Sequence, residues 1–179
     1  GVLGISAGCS LGLIDALSKL FNPGQYSFSV DYLNVLSLSF KIDGLSAFFL
    51  VAIFAVSLLA AIYSFHYMDK SEKALRTSVN YLFFSLLIAS MALVVTAENM
   101  IAFMFSWEIM SLSSYFLVIY DYQSPENRKA GYLYFVFSHV GAMFIFAAFG
   151  IMYGYTGSFG FTGALPETAK ILVFILSFI

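Results

Sequence analysis

Long apolar runs separated by short polar segments dominate this chain. Four of the runs are 21 to 25 residues long, and they lie at 45–65, 77–97, 99–120 and 131–155. A helix of about 20 apolar residues crosses the ~30 Å hydrocarbon core of a bilayer. The pattern therefore predicts four complete membrane spans. Apolar residues at 1–20 and 169–179 predict two partial spans, the second half of one and the start of another.

Residues 27–42 follow a different pattern, in which apolar and polar side chains alternate. The alternating apolar positions are Phe28, Val30, Tyr32, Leu36, Leu38 and Phe40. A period of two predicts a β-hairpin, with Asn34 near its turn. We expect this hairpin at the membrane surface, because open sheet edges are not tolerated in lipid. Asp43 follows it and is predicted to be the N-cap of the next helix.

The composition places the chain among integral membrane proteins. It is 61% hydrophobic and only 10% charged, whereas soluble domains carry roughly 25% charged residues. The predicted fold class is all-α, a polytopic transmembrane helix bundle in a single membrane domain over 1–179, with a short extracytoplasmic hairpin. The apolar runs at both ends lead us to expect a piece of a longer protein.

The charges and rare residue types exclude several classes of function. The net charge is −2 and no basic cluster is present, so nucleic acid is excluded as a partner. Two His and one Cys, widely separated, do not make a metal site. Phosphate loops, dinucleotide fingerprints and nucleophile triads are also missing. We expect no cofactor, redox centre or catalytic nucleophile in this chain.

The distribution of Lys and Arg predicts the orientation. Five of the eight basic residues lie in the polar segments 66–76 and 121–130. By the positive-inside rule, these two segments are cytoplasmic and the hairpin faces outward. Asp15 and Lys19, spaced i, i+4 near the end of the first run, are predicted to form an ion pair at the interface.

Two ionisable side chains lie deep in predicted spans, Glu108 and His139. An ionised carboxylate at the bilayer centre costs at least ~2.5–3.5 kcal/mol on insertion scales, so such residues are usually functional. Their spans are consecutive and antiparallel, and we expect a water or a hydroxyl to bridge the two side chains and carry protons. In the alternative interpretation, Glu108 only bonds a neighbouring helix and His139 only bonds a backbone carbonyl.

Three further polar side chains are candidates for supporting this proton transfer. Ser111 and Tyr115 follow Glu108 at i+3 and i+7, which places them on the same helix face. Ser138 directly precedes His139.

Several motifs together resemble one family of membrane proteins. They are 43–46 (Asp-Gly-Leu-Ser), 63–68 (Tyr-Ser-Phe-His-Tyr-Met), 89–91 (Ala-Ser-Met), 97–99 (Ala-Glu-Asn) and 107–115 (Trp-Glu-Ile-Met-Ser-Leu-Ser-Ser-Tyr). The chain is identified as a member of the proton-conducting, antiporter-like membrane subunits of respiratory complex I, Mrp-type Na⁺/H⁺ antiporters and energy-converting NiFe hydrogenases. Together with 137–141 (Phe-Ser-His-Val-Gly), the 107–115 run is most similar to component B of hydrogenase-4 and formate hydrogenlyase.

The resemblance implies a larger bundle of fourteen or more helices built from two inverted five-helix repeats. This chain would correspond to the second helix through the start of the seventh. Glu108 matches the family's glutamate on the fifth helix, and its lysine partner on the seventh would follow Ile179. His139 matches a polar position on the sixth helix.

The resemblance also implies a function, a location and partners. The subunit would move protons, or Na⁺, in a prokaryotic cytoplasmic membrane, coupled to electron transfer in a peripheral redox module and beside other membrane-arm subunits. An Mrp-type Na⁺/H⁺ antiporter subunit and a structural membrane subunit without a proton path remain the alternatives.

Overall fold

The computed structural model describes residues 1–22, 26–32, 36–67 and 74–178 of the chain. These residues form six helices and one two-stranded sheet. In chain order, the elements are α1 (Val2–Phe21), β1 (Tyr26–Tyr32), β2 (Leu36–Ile42), α2 (Gly44–Tyr67), α3 (Ala74–Thr96), α4 (Met100–Val118), α5 (Pro125–Thr156) and α6 (Glu167–Phe178). The predicted helical membrane fold with a short hairpin is confirmed. Asn34, the predicted turn residue, lies outside the described residues.

Five of these helices are long and apolar enough to cross a membrane, and the chain is an integral membrane protein. They are α1, α2, α3, α4 and α5. The run at 1–20, predicted as the second half of a span, corresponds to α1, a 20-residue helix that is long enough to cross a membrane. Its small residues and its Asp15–Lys19 pair lower the hydropathy of the run without ending the helix.

Helix α5 begins six residues before the predicted span. Ser124 is its N-cap, since the Ser124 hydroxyl accepts the Asn127 N–H at 3.4 Å, and Pro125 occupies the first turn. Proline suits that position because its missing N–H would have no helical partner there. The polar residues 125–130, predicted as part of a loop, therefore form the first turns of α5. The helix ends at Gly157, whose φ of 63° is left-handed.

The hairpin is antiparallel and is attached to the end of the bundle. Tyr26 pairs with Ile42 and Tyr32 with Leu36. Strand β2 continues its pairing onto the α3–α4 turn, where Phe40 faces Ala97 and the Glu98 N–H donates to the Ser39 carbonyl at 2.8 Å.

The loop after α5 joins the same turn. The Met100 N–H donates to the Phe159 carbonyl at 2.9 Å, and Asn99 faces Gly160 in an antiparallel bridge. The start of α4 is therefore fixed by backbone hydrogen bonds from two directions.

Asp43 caps the first turn of α2. Its Oδ1 accepts the Ser46 N–H at 2.8 Å. This backbone hydrogen bond, followed by a hydrogen bond with the Ser46 side chain, holds the pKa of the Asp43 carboxyl below its usual range. A carboxylate at a helix N-terminus also interacts favourably with the helix dipole.

Helices α4 and α5 run antiparallel and share a series of side-chain contacts along their length. The contacting pairs, from the 119–131 end to the hairpin end, are Ile119–Gly131, Tyr115–Phe135, Ser111–Ser138, Glu108–His139 and Phe103–Phe149. Gly131 permits a close approach at its end of this series, because a Cβ there would overlap Ile119 Cγ2. Small residues at such crossings let helix backbones come together in membranes.

Candidate functional site

Glu108 and His139 meet directly between α4 and α5. Glu108 Oε2 lies 3.4 Å from His139 Nε2, within ion-pair range but long for a hydrogen bond. Both side chains are partly buried, with 34% of Glu108 and 27% of His139 exposed. The expected bridging water or hydroxyl is therefore unnecessary, because the two side chains approach each other without an intermediary.

The contact made by the second ring nitrogen of His139 determines which ring nitrogen carries the proton. Nδ1 lies 2.9 Å from the carbonyl oxygen of Phe135, one turn earlier in α5. A carbonyl oxygen only accepts hydrogen bonds, so Nδ1 carries the proton in this contact. In the neutral imidazole, Nε2 is then an unprotonated acceptor that faces the Glu108 carboxyl group.

This arrangement can hold one proton between two groups. An unprotonated Nε2 facing a carboxylate brings lone pairs together, whereas one added proton gives either an imidazolium–carboxylate pair or a neutral imidazole beside a carboxylic acid. The two forms differ only in the position of that proton.

The supporting residues join the two helices beside this pair. Ser111 Oγ and Ser138 Oγ are 2.6 Å apart, and Ser111 is only 3% exposed. The Tyr115 ring packs edge-on against Phe135, at 5.4 Å between ring centroids. Phe135 in turn lies 4.0 Å from the His139 ring and supplies its carbonyl acceptor. Of the five residues predicted for proton transfer and its support, Glu108 thus contacts His139 and Ser111 contacts Ser138, whereas Tyr115 is linked to His139 through Phe135.

Asp15 and Lys19 lie elsewhere. Lys19 Nζ is 2.9 Å from Asp15 Oδ2 near the end of α1, and it also lies 4.7 Å from the centre of the Tyr26 ring in β1. Asp15 is 62% exposed. These two residues belong to the junction between α1 and the hairpin, and they are separate from the Glu108–His139 pair between α4 and α5.

Asn99 is a structural residue that the sequence analysis missed. Its Oδ1 accepts the Ala102 N–H at 2.7 Å and caps α4, and its Nδ2 donates to the Ser37 carbonyl of β2 at 2.6 Å. Asn99 is 6% exposed. The signal was present, since Asn directly before an apolar run is a common N-cap.

A polar cavity of about 870 Å³ opens beside Asn99, at the hairpin end of the bundle. Its lining includes the charged residues Lys41, Asp43 and Glu98, together with Tyr153 and Phe161. Among the described residues, no group of three or more His, Cys, Asp or Glu could hold a metal ion. The cavity therefore presents charge and hydroxyl groups without a metal-ligand cluster.

Two family profiles match this chain over most of its length. Residues 97–178 match "NADH:quinone oxidoreductase/Mrp antiporter, TM", and residues 28–77 match "NADH-Ubiquinone oxidoreductase (complex I), chain 5 N-terminus".

Three relatives come from different branches. NADH-quinone oxidoreductase subunit L of Buchnera aphidicola is 32% identical over 84% of this chain and 24% of its own length. Hydrogenase-4 component B of Escherichia coli is 34% identical over 79% of this chain and 21% of its own length. Antiporter subunit mnhA2 of Staphylococcus saprophyticus is 29% identical over 87% of this chain and 19% of its own length. The chain thus spans about a quarter or less of the relatives it matches.

Solved structures share the fold. Respiratory complex I from Thermus thermophilus matches with a TM-score of 0.76 at 18% identity, covering 98% of this chain and 36% of the matched one. The Mrp complex from Dietzia sp. matches with a TM-score of 0.75 at 17% identity, covering 98% of this chain and 34% of the matched one. Both are multi-subunit membrane assemblies.

Proposed function

This chain belongs to the family of antiporter-like membrane subunits, and we propose that it forms part of a proton-translocating subunit of an energy-converting redox complex. In this proposal, electron transfer in partner subunits drives proton movement past the Glu108–His139 pair. The chain itself contributes no cofactor and no redox step.

The contact between Glu108 and His139 carries the proposal. Because Nδ1 is committed to the Phe135 carbonyl, Nε2 faces the Glu108 carboxyl group and one proton fits between them. A proton can move from imidazolium Nε2 to carboxylate Oε2, leaving both groups neutral. A nearby cation would reverse this transfer by favouring the ionised carboxylate. The family's lysine, expected after Ile179, would be such a cation.

The proposal includes the wider setting of the subunit. The structural relatives are multi-subunit membrane complexes, which supports neighbours in a membrane arm. The peripheral redox module is the further part of this proposal, and it follows from the resemblance to redox complexes. We place the protein in a prokaryotic cytoplasmic membrane, as its resemblance to these subunits implies. Its Lys and Arg distribution supports an orientation with 66–76 and 121–130 on the cytoplasmic side. The transported ion would be H⁺, with Na⁺ as the variant to be tested.

Redox-driven proton pumping by the full-length subunit in its native complex tests the role of the pair. We expect Glu108→Gln and His139→Gln each to lower pumping by ~10²-fold or more, the usual effect of removing a positioned proton-transfer group. The double variant should be no worse than either single one, because the residues act as a unit. The matched control is Glu126→Gln, an exposed carboxylate at the start of α5. Normal pumping by an assembled Glu108→Gln complex would contradict the proposed role.

Two activities separate the branches of the family. Hydrogen evolution by the purified complex, together with a nickel subunit, would assign the chain to the hydrogenase-4 and formate hydrogenlyase branch. NADH–quinone activity would assign it to complex I. Identities of 32% and 34% to these two branches support both about equally.

An Mrp-type antiporter subunit is the second candidate function. The 29% identity to antiporter subunit mnhA2 over 87% of the chain favours it. Na⁺-dependent proton exchange without any electron donor would establish this function. A complex that pumps protons during electron transfer but shows no such Na⁺-dependent exchange would exclude it. A structural subunit without a proton path would instead tolerate both Glu108→Gln and His139→Gln.

A further inference from the structure

Four aromatic side chains pack together between the polar cavity and the Glu108–His139 pair. This aromatic cluster consists of Phe103 and Trp107 of α4, Phe149 of α5, and Phe161 in the loop after α5. Phe103 is at its centre, with ring centroids 5.6 Å from Trp107, 5.5 Å from Phe149 and 6.4 Å from Phe161. Phe149 and Phe161 close the triangle at 5.7 Å.

The order of residues along α4 places the cluster between the two polar regions. Asn99 lines the cavity, Phe103 follows one turn later, and Trp107 follows after another turn, beside Glu108. At ~1.5 Å per residue, Asn99 and Glu108 are about 13 Å apart along the helix. Phe103 occupies the middle of that distance.

Helix α5 shows the same order from the opposite direction. Tyr153 lines the cavity, Phe149 lies one turn away, and His139 lies a further ten residues along, or about 15 Å. Phe161 lines the cavity and also touches both Phe103 and Phe149. It therefore forms part of the cavity wall on one side and of the aromatic cluster on the other.

The aromatic cluster contains one polar atom, the indole nitrogen Nε1 of Trp107. Trp107 Nε1 is buried and has no hydrogen-bond partner among the described residues. A buried N–H without a partner is costly, and here the indole ring that carries it stacks on the Phe103 ring. The aromatic cluster thus differs in polarity from the neighbouring cavity, which is lined by charged residues and hydroxyl groups.

We propose that the aromatic cluster is a hydrophobic barrier that prevents protons from passing between the hairpin-side cavity and the Glu108–His139 pair. Protons move along hydrogen-bonded water, and hydrophobic constrictions interrupt such water by dewetting. The pair then exchanges protons only by routes that avoid the cavity. This inference rests on the proposed function, in which a leak at this position would short-circuit coupling.

Passive proton flux tests the barrier without redox turnover. The full-length subunit in its native complex is reconstituted into liposomes, and dye-reported proton entry is driven by a potassium diffusion potential. We expect Phe149→Ser to raise the flux about tenfold, equivalent to lowering the barrier by ~1.4 kcal/mol. Phe149→Leu, which stays apolar, should keep the flux near the wild-type value. Phe137→Ser is the matched control, because Phe137 lies on the same helix and is 71% exposed.

A second variant keeps the barrier testable if Phe149→Ser does not fold or assemble. Phe161→Ser changes a 39% exposed loop residue and should raise the flux in the same way. Adding Glu108→Gln to either serine variant should abolish the extra flux if the leak passes through the pair. Wild-type flux in assembled Phe149→Ser and Phe161→Ser complexes would overturn the barrier, as would a leak that persists with Glu108→Gln. Neither outcome depends on the pumping assay, so the two proposals can fail separately.

Discussion

Replacing Asn99 tests whether the start of α4 is fixed as tightly as its contacts suggest. Asn99→Ala removes the N-cap bond to the Ala102 N–H and the bond to the Ser37 carbonyl. Loss of an N-cap costs about 0.5–2 kcal/mol, typically ~1. Loss of a further buried hydrogen bond costs about 0.5–1.5 kcal/mol, with more when a partner stays unsatisfied. We therefore expect Asn99→Ala to lower the free energy of unfolding by about 2–3 kcal/mol.

A second substitution divides this effect into its two parts. Asn99→Ser keeps an N-cap of similar strength but lacks the amide that reaches β2, since Ser and Asn are comparable caps. It should lose only about 1 kcal/mol, the value of one hydrogen bond. The control is Asn127→Ala in the first turn of α5, whose amide bond to the Asp121 carbonyl is exposed and 3.3 Å long. Changes of this kind stay within about 0.5 kcal/mol.

The assay is reversible unfolding of the full-length subunit in mixed micelles by increasing SDS, followed by tryptophan fluorescence. Trp107, the chain's single Trp, lies eight residues after Asn99. An Asn99→Ala protein within 0.5 kcal/mol of wild type would refute the reasoning. Equal losses in Asn99→Ala and Asn99→Ser would instead show that the cap contributes nothing and that only the bond to β2 matters.

Three further predictions use the same unfolding assay. Gly131→Ala should cost about 1–3 kcal/mol from overpacking against Ile119, and Ile119→Ala in the same chain should recover part of that loss. Ser111→Ala and Ser138→Ala should show a coupling energy of about 0.6 kcal/mol, the average for interhelical hydrogen bonds in membranes; an additive double variant would contradict a shared bond. Asp43 has a lowered pKa when folded, so its stabilisation is present above the unfolded value of about 3.9 and is lost as pH falls through the folded value. Asp43→Asn should therefore destabilise at pH 7 and match wild type at the lowest pH tested, and a difference that does not change with pH would contradict this assignment.

The apolar pattern predicted most of the fold because bilayer thickness leaves few choices. Runs of 21 to 25 residues could only be spans, and an alternating run could only be a surface hairpin. The boundary of α5 could not be predicted in this way, because residues 125–130 are polar but helical. Local capping by Ser124 determines that boundary, and hydropathy does not report capping.

The contact between Glu108 and His139 was predictable only approximately. Their positions on consecutive antiparallel spans placed them near each other, but the distance depends on how α4 and α5 pack. The close approach at Gly131 and Ile119 sets that packing, and it results from one missing side chain. The aromatic cluster was not predictable, because Phe161 reaches it from a loop whose position follows from its backbone bonds to the α3–α4 turn.

Helix α4 is held at both ends, and this bears on how the pair can work. At one end, Asn99 and the backbone bonds of 97–100 attach it to the hairpin and to the loop after α5. At the other end, Ile119 packs into the space left by Gly131. Glu108 lies between these two fixed points, so a large displacement of the helix would break contacts at both. We therefore expect Glu108 to change partners by side-chain rotation, with proton transfer to or from His139 as the event that releases it.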